Sequence, residues 1–91
     1  MAHDVFISYS SNDKHIADAV CNALEYNKIR CWIASRDVTP GKEWGEEIIS
    51  AISRSKVMVL IFSSSANNSQ QVLREVERAV NKNVIIVPFR I

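Results

Sequence analysis

Apolar residues along the chain form four short runs, separated by three segments in which they recur every third or fourth position. Val5-Phe6-Ile7 is a β-rich run that ends in the polar stretch Ser8-Tyr9-Ser10-Ser11-Asn12. Residues 13–27 place Ile16, Ala19, Val20, Ala23 and Leu24 on one side at helical spacing, with Ser11 or Asn12 available to accept a bond from a first-turn amide. Residues 30–33 read as a second strand, and 34–42 as a loop built around Pro40-Gly41. Ile48, Ile49 and Ile52 give a second helix over 44–55. Residues 57–62 are apolar without alternation, as in a strand covered on both faces of a parallel sheet. A polar loop over 63–68 precedes a third helix over 69–81, with Val72, Val76, Ala79 and Val80 inward. The last strand is predicted over 84–87, closed by Pro88.

This order, βαβαβαβ, predicts an α/β fold: a parallel sheet with helices on both faces and right-handed crossovers. Ligands in such sheets bind beyond the carboxyl ends of the strands, here residues 8–12, 34–42, 63–68 and 88 onward. A last strand followed by no helix leaves part of one face bare. Residues 1–91 are therefore expected to be one incomplete domain; the alternative is a short natural version that covers the gap by self-association.

Composition narrows the function. The chain has 91 residues, enough for one domain, and 47% of them are apolar. A net charge of +1 with interspersed signs offers no groove for nucleic acid and no patch for an anionic membrane. No apolar run approaches the length of a bilayer span, and Met1-Ala2-His3-Asp4 does not open a signal peptide, so the cytoplasm is expected. Cys21 and Cys31 read as small reduced core residues, and His3 and His15 have no partners at metal spacing, so no metal is expected. A phosphoacceptor receiver domain needs an acidic pair after the first strand, where this chain has Ser8-Tyr9-Ser10. A dinucleotide-binding Rossmann unit needs a glycine-rich first turn, and the only glycines are Gly41 and Gly45.

Four stretches in order carry a resemblance. They are Asp4-Val5-Phe6-Ile7-Ser8-Tyr9-Ser10; Cys31-Trp32-Ile33 with the run from Arg36 through Pro40-Gly41 to Trp44; residues 57–63; and Ser69, Val72, Glu75, Val76 and Ala79. Together they resemble the TIR (Toll/interleukin-1 receptor) domain family in its microbial form, a flavodoxin-like fold, lacking the family's fifth strand and last helix. The resemblance implies one of two activities. Some family members assemble signalling complexes through TIR–TIR contacts. Others cleave NAD+ at the nicotinamide–ribose bond, giving ADP-ribose or a cyclised isomer, with NAD+ as substrate and no further cofactor, often in defence or stress pathways. The family's catalytic third-helix glutamate corresponds to Glu75. Tyr9, Ser10, Arg36, Trp44 and Ser63 correspond to positions near the nucleotide. Asp37, Pro40, Gly41 and Lys42 belong to the interaction loop.

The bare residues leave alternatives. Glu75 falls at the border of the apolar face on a helical wheel, where a cleft-facing residue belongs, but it also suits an ion pair with Arg74 or Arg78. Trp44 suits a helix start, Tyr9 a half-buried loop position, Arg36 and Asp37 pairing with their neighbours, and Ser63 capping. Ala34 stands where many family members have an acidic residue, and Gln71-Val72 where many have Trp-Cys.

Overall fold

The computed structural model describes residues 3–38 and 44–91, with the side chain of Trp44 outside that description. Four strands, β1 (Val5–Ser8), β2 (Cys31–Ile33), β3 (Val57–Phe62) and β4 (Ile85–Arg90), form one parallel sheet in the order β2-β1-β3-β4. The connecting helices are α1 (Lys14–Tyr26), α2 (Ala34–Asp37), α3 (Trp44–Arg54), α4 (Ser64–Asn67) and α5 (Gln70–Asn81).

Pleating sends alternate residues of β1 to opposite faces. Val5 and Ile7 join Ala17 and Cys21 of α1 and Cys31 and Ile33 of β2 in one core cluster. Phe6 joins Ile48 and Ile52 of α3, Met58 and Ala79 in the other, where its ring stacks on Trp32 across the sheet at 5.1 Å. Helix α1 therefore covers one face, and α3 and α5 cover the other. On the α1 face, the β4 side chains Ile85 (65% exposed), Val87 and Phe89 (46% each) are left open.

Helices α1 and α5 end alike. Lys28 (φ 66°) and Asn83 (φ 59°) turn left-handed, and the amides of Ile29 and Val84 reach back to the carbonyls of Leu24 and Ala79. These are Schellman ends whose apolar last residue leads into the next strand.

Several expectations change. Ser8 belongs to β1, not to the loop after it. The stretches 34–42 and 63–68 each contain a single helical turn, α2 and α4, too short for apolar periodicity to reveal. Strand β4 runs through Pro88, opposite Leu60, because an edge strand tolerates a missing amide on its open side. On α1 the buried positions are Ala17 and Cys21, while Ala19 and Ala23 face out. On α5, Val80 is 61% exposed and the buried set is Val72, Glu75 and Ala79. Glu75 therefore sits within the inward face rather than at its border.

Candidate functional site

Glu75 is only 6% exposed, an unusual position for a carboxylate. Helix α5 holds it there because Ser69 caps the first turn, accepting from the Val72 amide at 3.2 Å, and Val72 and Ala79 anchor the same face. Two neutral donors meet its oxygens. Ser8 Oγ, at the carboxyl end of β1, donates to Oε1 at 2.7 Å, and Gln71 Nε2, one turn earlier on α5, donates to Oε2 at 3.2 Å. Among the described residues, no ion pair reaches it. Burial pushes its carboxyl above the ordinary glutamate range, while the Ser8 and Gln71 bonds pull the other way.

This carboxylate borders a cavity of about 390 Å³ between α3 and α5. Ile48, Ile49 and Ile52 form the apolar wall, and Arg74 and Arg78 bring positive charge to the other. Strands β1 and β3 are neighbours whose outgoing helices, α1 and α5, lie on opposite faces. Glu75 thus touches the sheet beside its switch point, the general location of ligand sites in such folds.

The other expected site residues are dispersed. Ser10 caps the turn at Ser11–Asp13, accepting from the Asn12 amide at 3.4 Å. Ser63 accepts from the Ala66 amide at 3.0 Å as N-cap of α4 and donates to Asp13 Oδ2. With the bond from Asn12 Nδ2 to Ser65 Oγ (3.3 Å), this ties the loops after β1 and β3 together. Tyr9 packs against the α1-side core, away from the Glu75 cavity.

Arg36 is also away from that cavity, at the outer edge of β2. Its guanidinium donates to both Glu25 oxygens (2.6 and 2.9 Å), both Asp37 oxygens (2.8 and 2.9 Å) and the Cys31 carbonyl (2.9 Å). Asp37 Oδ2 in turn accepts from the Ile33 amide at 3.0 Å. Burial pushes the Asp37 carboxyl up, but Arg36 and the Ile33 amide outweigh it and hold it below the usual range. Pro40, Gly41 and Lys42 lie outside the described residues, as does the side chain of Trp44.

Sequence reasoning missed two features. Ser8 gave no signal as a loop residue, although strand parity with Phe6 aims it at α5. Among the described residues, Cys21 Sγ, Cys31 Sγ and the Glu25 carboxylate lie within 4.8 Å of one another, a donor group assembled from α1 and β2 that linear spacing cannot show. Burial pushes the Cys31 thiol up to about 12, and Arg36 occupies both Glu25 oxygens.

No curated protein matches the chain. Solved structures do. The TIR domain of the Toll-related receptor TRR-2 from Hydra magnipapillata aligns with a TM-score of 0.85 over 94% of this chain and 68% of that one, at 24% identity, a likeness of fold alone. The TIR domains of the activated Roq1 resistosome, which directly recognises the pathogen effector XopQ, give 0.88 and 25% identity over 98% of this chain and 57% of that one. A TIR-STING receptor from C. gigas gives 0.84 and 28% identity over 98% of this chain and 31% of that one. A family model for the TIR domain matches residues 5–91, and the chain belongs to the TIR domain family.

Proposed function

We propose that this TIR domain cleaves NAD+ at the nicotinamide–ribose bond, with Glu75 as the catalytic carboxylate. The observation that carries this reading is a buried carboxylate held by two neutral donors, with no ion pair among the described residues, beside an open cavity. Breaking the bond sends its electron pair to the nicotinamide ring nitrogen and leaves positive charge on the ribose. The transition state resembles an oxocarbenium ion, as in glycoside hydrolysis. A carboxylate already neutralised by arginine gains little from that new charge. One held by Ser8 and Gln71 gains much, because the arriving cation supplies the partner its surroundings lack. Water, or a nucleophile within the same nucleotide, then takes the ribose carbon. Arg74 and Arg78 offer positive charge to a diphosphate in the same cavity. The family resemblance adds Trp44 to the residues expected near the nucleotide.

The test is nicotinamide release from NAD+ by concentrated protein, followed by chromatography beside Glu75→Ala. Release that the substitution abolishes is expected; release at an equal rate from both proteins would sink the reading.

A second reading, assembly with other TIR domains or with itself, is the other activity that the family resemblance implies. It also draws on the likeness to TIR domains of an assembled resistosome. Light scattering across a concentration series measures it. The free thiols of Cys21 and Cys31 fit the reducing cytoplasm expected from the sequence. Among the described residues, no helix is long and apolar enough to cross a membrane.

A further inference from the structure

Glu75 is fixed from two directions. Its own helix supplies Gln71, four residues back, and the centre of the sheet supplies Ser8. Ser8 is the last residue of β1, fully buried, and placed opposite Leu60 of β3. A hydroxyl in that position is closed to bulk solvent, and the bond it gives Glu75 bridges 67 positions of sequence.

We infer that Ser8 is a positioning residue for Glu75: its hydroxyl orients the carboxylate toward the cavity and keeps it in the charged form that the reaction uses. This rests on the catalytic reading of Glu75 given above. An ionised carboxylate accepts on both oxygens, whereas a protonated one has a proton of its own to place. A donor aimed at Oε1 therefore favours the charged form. Gln71 does the same at Oε2, over the longer distance of 3.2 Å. From β1 the facing group is Ser8 itself, uncharged. From α3 the cavity presents Gly45 and the three isoleucines. From α5 it presents Arg74, Glu77 and Arg78, which line the cavity without forming an ion pair to Glu75. Burial favours the neutral form, and the bonds from Ser8 and Gln71 act against it.

The test compares wild type, Ser8→Ala and Ser8→Thr, with Ser8→Cys as a variant of similar volume and much weaker donor strength should alanine prevent folding. Two readouts are taken on folded protein. Side-chain carbon-13 NMR follows the ionisation of Glu75 directly, and nicotinamide release is measured against pH. In Ser8→Ala, Glu75 is expected to titrate at higher pH than in wild type. The acid limb of kcat should move the same way, and kcat at neutral pH should fall about tenfold, the order of one hydrogen bond to a charged group. KM should stay near its wild-type value, and Ser8→Thr should restore the wild-type profile. A purely structural Ser8 would lower the melting temperature and leave the titration in place, and that result overturns the inference. If wild-type protein releases no nicotinamide, the catalytic reading falls, while the NMR titration still decides whether Ser8 governs the charge of Glu75.

Discussion

The Glu75 site and the Arg36 site are both polar clusters at the ends of parallel strands, and they are built on opposite principles. Arg36 is saturated: two carboxylates and a carbonyl meet its guanidinium at the exposed edge of β2, joining α1 to α2. Glu75 is buried at the centre, is met by neutral donors and has no described counter-ion. A saturated cluster holds elements together and has nothing left to offer a ligand. A buried carboxylate lacking a cation carries a standing electrostatic cost, and such costs gather at sites that do chemistry.

Three variants would break or sharpen the contrast. The largest effect belongs to Glu75→Gln, which should lower nicotinamide release by at least about 100-fold, the scale of losing one preorganised electrostatic partner. The same variant should melt higher than wild type at neutral pH. The folded-state pKa of Glu75 is raised, so its contribution to stability is complete below the unfolded value, about 4.3, and is lost as pH rises through the folded value. Glutamine has no such loss. The two proteins should therefore converge near pH 4 and separate above it in a thermal scan. Lower stability of Glu75→Gln across that range would mean that the carboxylate is structural after all.

Next comes Ser63→Ala. It removes the cap of α4 and the bond to Asp13 and should cost about 1–2 kcal/mol in chemical denaturation. Its kcat should be untouched; a raised KM with unchanged stability would return Ser63 to the substrate-contact role expected from the sequence. Arg36→Ala should cost about 1 kcal/mol, since the pair with Glu25 is partly exposed and screened by solvent. Nicotinamide release per folded molecule should stay within about twofold, the margin set by less than one weak contact. A large rise in KM would instead make Arg36 a ligand contact. The smallest effect is its pH signature. Hydrogen bonding by Arg36 holds Glu25 below its ordinary range, so the stability Glu25 adds is present above its unfolded pKa and fades as pH falls through the lower folded value. Arg36→Ala should flatten that acid limb, as should molar salt in wild type.

Much of the fold was legible because strands and helices announce themselves by different periods. Val5-Phe6-Ile7, residues 57–62 and the isoleucines of α3 follow those periods closely, and the alternation of elements implied the parallel sheet. What was lost lies below the reach of a period. Helices α2 and α4 are single turns, and Pro88 reads as a stop unless β4 is known to be an edge. At the site, Glu75 was found through family resemblance, while its burial was hidden by counting Val80 as inward. Ser8 could not be paired with it, since the bond joins residues far apart in sequence. For Arg36 the resemblance implied a place near the nucleotide and the residues alone also allowed pairing with neighbours; its partner Glu25, on another helix, was beyond the reach of spacing.

The strand order has a consequence for synthesis. β1 is made first yet lies between β2 and β3, and its pairing with Val57–Leu60 must wait until those residues have left the ribosome. Until then, Val5-Phe6-Ile7 presents an apolar strand with an unsatisfied edge. Parallel pairings this distant in sequence form slowly and expose such edges to other chains. The yield of folded protein should therefore respond to translation rate, temperature and chaperone supply more than its equilibrium stability alone would suggest.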